Sequence, residues 1–283
     1  MSLDSTHSSQ PTPTARIALL ATGGTIASTV GGDGRLVPRL RAADLAARLP
    51  ATFGLEVEAH DAALVAGWNM TPPLMLELAR RASELLAGGA AGIVVTHGTD
   101  TIEETATLLG LAVTADRPVV VTGAMRHDGA AGADGPANLR DAALVAAEPA
   151  AAGRGCLVVL AGQVHAAPWV TKAHSHALDA FASPGRGPVG SVRAGRVAFT
   201  AQPERRAPLA VAHADAEVAL VRVAAGCRPC GRRWAPASRW CARRGPRPAA
   251  PASSTTGQAA TPTCAPRGCS TAASAPASRP GSS

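Results

Sequence analysis

Four short runs of the chain are apolar almost without interruption: Ile17–Ala21, Gly92–Thr96, Pro118–Thr122 and Cys156–Ala161. A strand wetted on one face alternates apolar and polar residues, so unbroken runs predict strands covered by helices on both faces. Between them lie stretches with helical spacing and helix-end signals. Thr71-Pro72-Pro73 predicts a start, a threonine N-cap with proline in the first turn, and Gly88-Gly89 predicts the stop. Leu74, Leu78 and Leu85 form the buried stripe of that helix. A second helix is expected from Ile102 to Val113, with Glu103 and Glu104 at its positive end and Asp100 as its N-cap. A third follows Asp134-Gly135-Pro136 and continues to Ala147. Strand and helix alternate, which predicts an α/β domain on a doubly wound, mostly parallel sheet, with ligands at the carboxyl ends of the strands.

This regular pattern ends abruptly. AEVALVRVAAG, residues 216–226, reads as a strand, and CRPCGRRWAPASRWCARRGPRP follows directly. From Cys227 to Ser283 there is no Leu, Ile, Val, Met or Phe, so the segment has almost no apolar surface to offset the entropy of ordering. Two origins fit: a natural disordered basic tail, or translation in a shifted reading frame. The abruptness of the break favours the second, and sequencing the DNA around the Gly226 codon separates them. The organisation expected is a disordered leader at 1–15, an α/β domain at 16–205, a linker and first strand of a further domain at 206–226, and the tail at 227–283.

Charge changes the picture less than its total suggests. The formal net charge is +7, which points toward nucleic acid or a membrane surface. Nine Arg and no acidic residue lie in 227–283, leaving 18 basic against 20 acidic side chains in residues 1–226. The body is therefore mildly acidic, and no nucleic-acid or membrane partner is expected of it. Trp234 and Trp240 among the tail arginines could stack on RNA bases, but no recognisable nucleic-acid-binding fold accompanies them. No apolar run is long enough for a membrane-spanning helix, and MSLDSTHSSQPTPTAR lacks a secretion-signal pattern, so the expected location is cytoplasmic. Cys227 and Cys230 form a CxxC, yet Cys264 and Cys269 have the wrong spacing and no nearby histidine completes a zinc site. No metal is expected on these cysteines.

The candidate chemistry sits in two similar loops. ATGGTIAS, residues 21–28, and THGTDT, residues 96–101, each follow a predicted strand and break into glycine and threonine. Thr25 and Thr99 are candidate nucleophiles, weak ones that need a base to take the proton. Gly23, Gly24 and Gly98 allow close backbone approach to a ligand and can present N–H groups to a developing oxyanion. Neither loop has the Gly-Lys pattern of a phosphate-binding loop. The chain holds 26 arginines and one lysine, Lys172, in WVTKAHSHA. Arginine cannot give up its proton in a protein whereas lysine can, so a lysine kept here is a candidate general base. Asp100 is placed to orient it or to bind a substrate ammonium. His174 and His176 read as polar surface rather than as metal ligands.

TGGTIAS with HGTDTIEETA, followed by PVVVTGAMR, DGPANLRDA and WVTKAHS, closely resembles the bacterial L-asparaginase family, including the glutaminase-asparaginases, over about residues 15–225. The resemblance implies hydrolysis of the side-chain amide of L-asparagine to L-aspartate and ammonia without metal or organic cofactor, with glutamine as the alternative substrate. A non-catalytic binder of small amino acids is the reading from another class. By resemblance, Thr25 is the primary nucleophile, and Thr99, Asp100 and Lys172 form a second catalytic group. Asp100 also holds the substrate ammonium, and the substrate contacts include Gly24, Gly98, Gly67 and Trp68. Gly67-Trp68-Asn69 departs from the serine-containing stretch usual in the family. The chain also has no tyrosine, although the family carries one in the loop after TGGTIA. That loop, STVGGDGRLVPRL, reads as a flexible glycine-rich lid. Similar enzymes are homo-oligomers in which a smaller carboxy-terminal domain lends an acidic residue to a neighbour's site. A tail without Asp or Glu cannot supply it, and the expectation is an enzyme impaired by its carboxy terminus.

Overall fold

The computed structural model describes residues 15–50 and 54–214. The expected 1–15 leader, the strand expected at 216–226 and the 227–283 tail lie outside those residues, apart from Ala15. In chain order, the first elements are β1 (Ala15–Gly23), β2 (Ser28–Val30), β3 (Leu36–Pro38), α1 (Ala42–Ala46), β4 (Leu55–Val65) and α2 (Pro72–Ala87). There follow β5 (Gly92–Thr96), α3 (Ile102–Ala112), β6 (Val119–Thr122), α4 (Gly135–Ala147) and β7 (Cys156–Leu160). The remainder is strand: β8 (Gln163–Ala166), β9 (Thr171–Lys172), β10 (Phe181–Ala182), β11 (Gly190–Arg193) and β12 (Arg196–Phe199). Residues 206–214 have no regular secondary structure.

The main sheet has eight strands in the order β12-β11-β8-β7-β6-β5-β1-β4. From β4 to β7 every pairing is parallel. β8, β11 and β12 extend the sheet in antiparallel fashion. The sheet is thus mostly parallel with an antiparallel flank. The unbroken apolar runs conceal a division between two cores. Ala18, Leu20, Ile93, Val95, Val119, Val121 and Val158 face Leu78, Ala82, Ile102, Ala106 and Leu109 of α2 and α3. Their alternates Ile17, Leu19, Val94, Val120, Leu157 and Val159 face Leu45 of α1 and Leu139, Ala142 and Ala146 of α4. Successive strand residues point to opposite faces, so a sheet buried on both sides needs apolar side chains at every position.

The element ends show where local signals prevail and where tertiary geometry overrides them. α2 begins and ends as its proline and glycines predict, although the Thr71 hydroxyl makes no capping bond. α3 begins at Ile102, but its N-cap is Thr101 rather than Asp100, again without a side-chain cap. The Asp100 carboxylate is taken by Lys172 instead. β7 stops at Leu160 because Ala161 and Gly162 both have positive φ, 49° and 71°. Two consecutive left-handed residues make the tight turn that folds β8 back on β7. Ala194 and Gly195, at 48° and 74°, do the same between β11 and β12. The stretch expected to be a flexible lid contains a two-stranded hairpin, with Val30 paired to Leu36 and both side chains about half exposed.

β1 lies between β4 and β5, so the chain leaves β1 for one neighbour and returns through α2 to the other. This reversal opens a crevice beyond the carboxyl ends of β1 and β5. The two threonine loops follow those two strands.

Candidate active site

Glycine contact brings the loops together. The Gly24 N–H donates to the Val65 carbonyl at 2.9 Å, tying the first loop to the end of β4. A Cβ on Gly24 would lie 2.4 Å from both the Cα and the N of Gly98. A Cβ on Gly98 would lie 2.4 Å from the Gly67 Cα and 2.6 Å from its N. Three backbones from three separate loops therefore touch at Gly24, Gly67 and Gly98. The sequence reads Gly24 and Gly98 as letting a ligand approach; they also let the three backbones approach one another, and any side chain at Gly98 would meet rigid main chain.

The second loop is fixed from below by a buried histidine. His97 has no exposed surface; its Nδ1 bonds the Gly98 carbonyl at 2.8 Å and its Nε2 bonds the Thr105 hydroxyl at 2.9 Å. A carbonyl only accepts, so Nδ1 carries the hydrogen and Nε2 accepts from threonine. Burial holds the imidazole below its usual pKa, which favours this neutral tautomer. The Thr22 hydroxyl donates to the Thr96 carbonyl at 2.8 Å and joins the two loop bases. Thr101 donates to the Gly67 carbonyl at 2.7 Å and closes the ring of contacts.

Within this frame the lysine amine meets the second loop. Lys172 Nζ donates to Thr99 Oγ1 at 2.8 Å and to Asp100 Oδ1 at 2.9 Å. Thr99 is buried, and the Lys172 side chain keeps 19% of its surface exposed. Asp100 is more open, at 47%. Thr25 is half-buried in a short 3-10 turn directly after Gly24. None of the side-chain hydrogen bonds among the described residues involves its hydroxyl, whereas neighbouring Ser28 donates to the Gly24 carbonyl at 2.8 Å. Trp68 projects into solvent, 74% exposed, one residue beyond Gly67. His174 and His176 are exposed, and His174 Nδ1 accepts the backbone N–H groups of His176 and Ala177. Among the described residues no group of three or more His, Cys, Asp and Glu is arranged to hold a metal ion.

One residue of the constellation was not apparent from pattern. Glu103 looked like an ordinary acid in the first turn of a helix. Its Oε1 accepts the Thr171 hydroxyl at 3.0 Å and the Lys172 backbone N–H at 2.5 Å. Nothing in the spacing signals this contact, which spans nearly seventy residues of chain.

Chemically, the arrangement offers the hydroxyl of a half-buried threonine, Thr25, on one loop. On the other it offers a buried hydroxyl joined to an amine and a carboxylate, with glycine backbone between the two. The chain matches the family model described as Asparaginase, N-terminal, over residues 16–205. A protein of Deinococcus radiodurans named "Probable L-asparaginase" is 46% identical over 201 residues, covering 69% of this chain and 60% of that protein. "L-asparaginase 2" of Bacillus subtilis is 41% identical over 185 residues, covering 62% and 48% respectively. A crystal structure of a Campylobacter jejuni protein named "Probable Cytoplasmic L-asparaginase" superposes with a TM-score of 0.63 at 36% identity, covering 69% of this chain and 60% of that one. The matched region thus spans three fifths or less of these relatives' own lengths. Among the described residues no helix is long and apolar enough to cross a membrane. With its family match running from the first strand of the sheet through both threonine loops and the lysine, the chain belongs to the asparaginase family.

Proposed function

We propose that this chain is an amidohydrolase that cleaves the side-chain carboxamide of a small amino acid, L-asparagine foremost, to the carboxylate and ammonia. The observation that carries the reading is the amine of Lys172 within hydrogen-bonding distance of both Thr99 and Asp100. The Thr25 oxygen attacks the amide carbon while its proton passes to a base, and backbone N–H groups of the glycine loops hold the oxyanion. Collapse breaks the C–N bond, the nitrogen takes a proton, and ammonia leaves an ester on Thr25. Water then attacks that ester. Lys172, acting through Thr99, takes a proton from the water, and the freed Thr25 oxygen regains one as the acid departs. Asp100 keeps the lysine in place and offers a carboxylate to the substrate's α-ammonium. Gly24, Gly67, Gly98 and Trp68 border the substrate.

Glutamine is the second reading, favoured by the 35% identity over 201 residues to the "Glutaminase-asparaginase" of Pseudomonas fluorescens. One methylene changes pocket fit by only about 1–3 kcal/mol, so both amides enter the same test. The chain's oligomeric state and its supply of a partner acid belong to the same proposal, and we expect its turnover to be slow because residues 227–283 hold neither Asp nor Glu to serve as that acid. Ammonia and amino-acid product are measured with L-asparagine and L-glutamine at high enzyme concentration. Slow, saturable release of one ammonia per carboxylate formed is expected. No release from either amide overturns the activity, while fast turnover overturns the impairment alone.

A further inference from the structure

Lys172 belongs to none of the eight strands of the main sheet. It sits in β9, a two-residue strand whose only ladder partner among the described residues is the equally short β10, where Lys172 pairs with Phe181. Ribbons this small are marginal by themselves. Packing of Val170 and Phe181 into the α2–α3 core anchors the ribbon's apolar side. Its polar side is held by one oxygen, Glu103 Oε1, which receives both the Thr171 hydroxyl and the Lys172 backbone N–H. Thr99 and Asp100 receive the amine at the far end of the same side chain. The lysine is therefore bracketed at backbone and tip by a single five-residue segment, 99–103, at the entrance to α3.

We propose that Glu103 is a positioning residue: by fixing the backbone of Lys172 it sets where the amine falls against Thr99 and Asp100. This rests on the amidohydrolase reading for its kinetic consequence but not for its structural one. Both bonds use the same carboxylate oxygen, and an amide oxygen can accept the same two hydrogens. Glu103→Gln keeps the geometry without the charge, and Glu103→Ala loses both.

The experiment exploits the lone lysine. In the full chain, an amine-reactive acylating reagent has Lys172 as its only side-chain amine, and peptide mass spectrometry separates the amide formed there from the amino terminus and from thioesters on the six cysteines. Glu103→Ala is expected to raise the rate of Lys172 acylation by about fivefold, the scale of one net hydrogen bond. Glu103→Gln should stay close to the parent. In the ammonia assay, Glu103→Ala should lower kcat by about 30-fold with KM changed less than about threefold, since misplacing a catalytic group by an ångström costs rate rather than binding. Glu103→Gln should restore most of it. Circular dichroism and a melting curve check folding. If Glu103→Ala unfolds, Thr171→Val, which removes one of the two bonds, is measured in its place with smaller shifts in the same directions. Unchanged acylation in a folded Glu103→Ala variant overturns the proposal, and so does a Glu103→Gln variant as impaired as Glu103→Ala. Altered acylation in a chain that releases no ammonia sustains the positioning role while overturning the activity.

Discussion

The two threonine loops begin alike and end differently. Each leaves a buried parallel strand through glycine and presents a threonine two or three residues later. After Gly24 the chain makes a short 3-10 turn and an exposed hairpin, and Thr25 is left half-buried. After Gly98 it enters the eleven-residue α3, and Thr99 is buried against an amine. His97, Thr101 and Glu103 brace the second loop from three directions, while the first leans on Ser28 and the end of β4. A hydroxyl that must meet a substrate needs access, whereas one that relays a proton needs a fixed donor and acceptor. The difference in burial and bonding suits the division of work proposed for Thr25 and Thr99.

The largest test separates the two hydroxyls. Thr25→Val and Thr99→Val are nearly isosteric, so each removes chemistry more than shape. Thr25→Val should lower kcat for asparagine by at least about 10³-fold, and Thr99→Val by about 10²-fold. A Thr25→Val variant that keeps turning over while Thr99→Val does not would reverse the assignment.

A smaller effect is expected from the glycine contact that joins the loops. Gly98→Ala drives a Cβ against the Gly67 backbone and should cost about 3 kcal/mol, lowering Tm by about 6–12 °C. Gly34, in the exposed hairpin, has positive φ but open space around it. Gly34→Ala should therefore cost only the strain of a left-handed alanine, about 1–2 kcal/mol. Equal melting temperatures for the two variants would show that the loops do not depend on each other.

The mildest test is pH. Burial holds His97 below the usual histidine range, and it does the same to His165, which is bonded to Ser183 on the opposite flank of the sheet. Below about pH 6.5 the unfolded chain takes up protons that the folded chain refuses. Stability should therefore be full above that pH and fall below it, by up to about 1.4 kcal/mol per pH unit for each histidine. Urea melts at neutral pH and about one unit below the histidine value measure the slope, and His97→Gln should flatten it. A slope unchanged in that variant would place the sensitivity away from the loop.

Some elements were legible because their causes are local. A sheet buried on both faces leaves unbroken apolar runs, and proline and glycine mark the ends of α2. β4 was missed for another reason: LEVEAHDAALV alternates charged with apolar residues, as suits an edge strand wetted on one side, so it is not among the unbroken apolar runs from which the other strands were read. The antiparallel flank was hidden because the tight turns at Ala161-Gly162 and Ala194-Gly195 put alanine where glycine or asparagine would have signalled them. The hairpin after Thr25 was hidden by its glycines.

By itself the order of residues determined the layered α/β architecture, the two hydroxyl loops and the oddity of a single lysine, since periodicity, helix-end chemistry and composition act within a few residues. Only the folded chain decided that Asp100 answers an amine instead of capping a helix, and that Gly98 is confined by Gly67. It also decided that Glu103 reaches β9. Those outcomes depend on which strands lie side by side, and the pairing of β1 with both β4 and β5 is set by the packing of the whole sheet rather than by any neighbourhood of sequence.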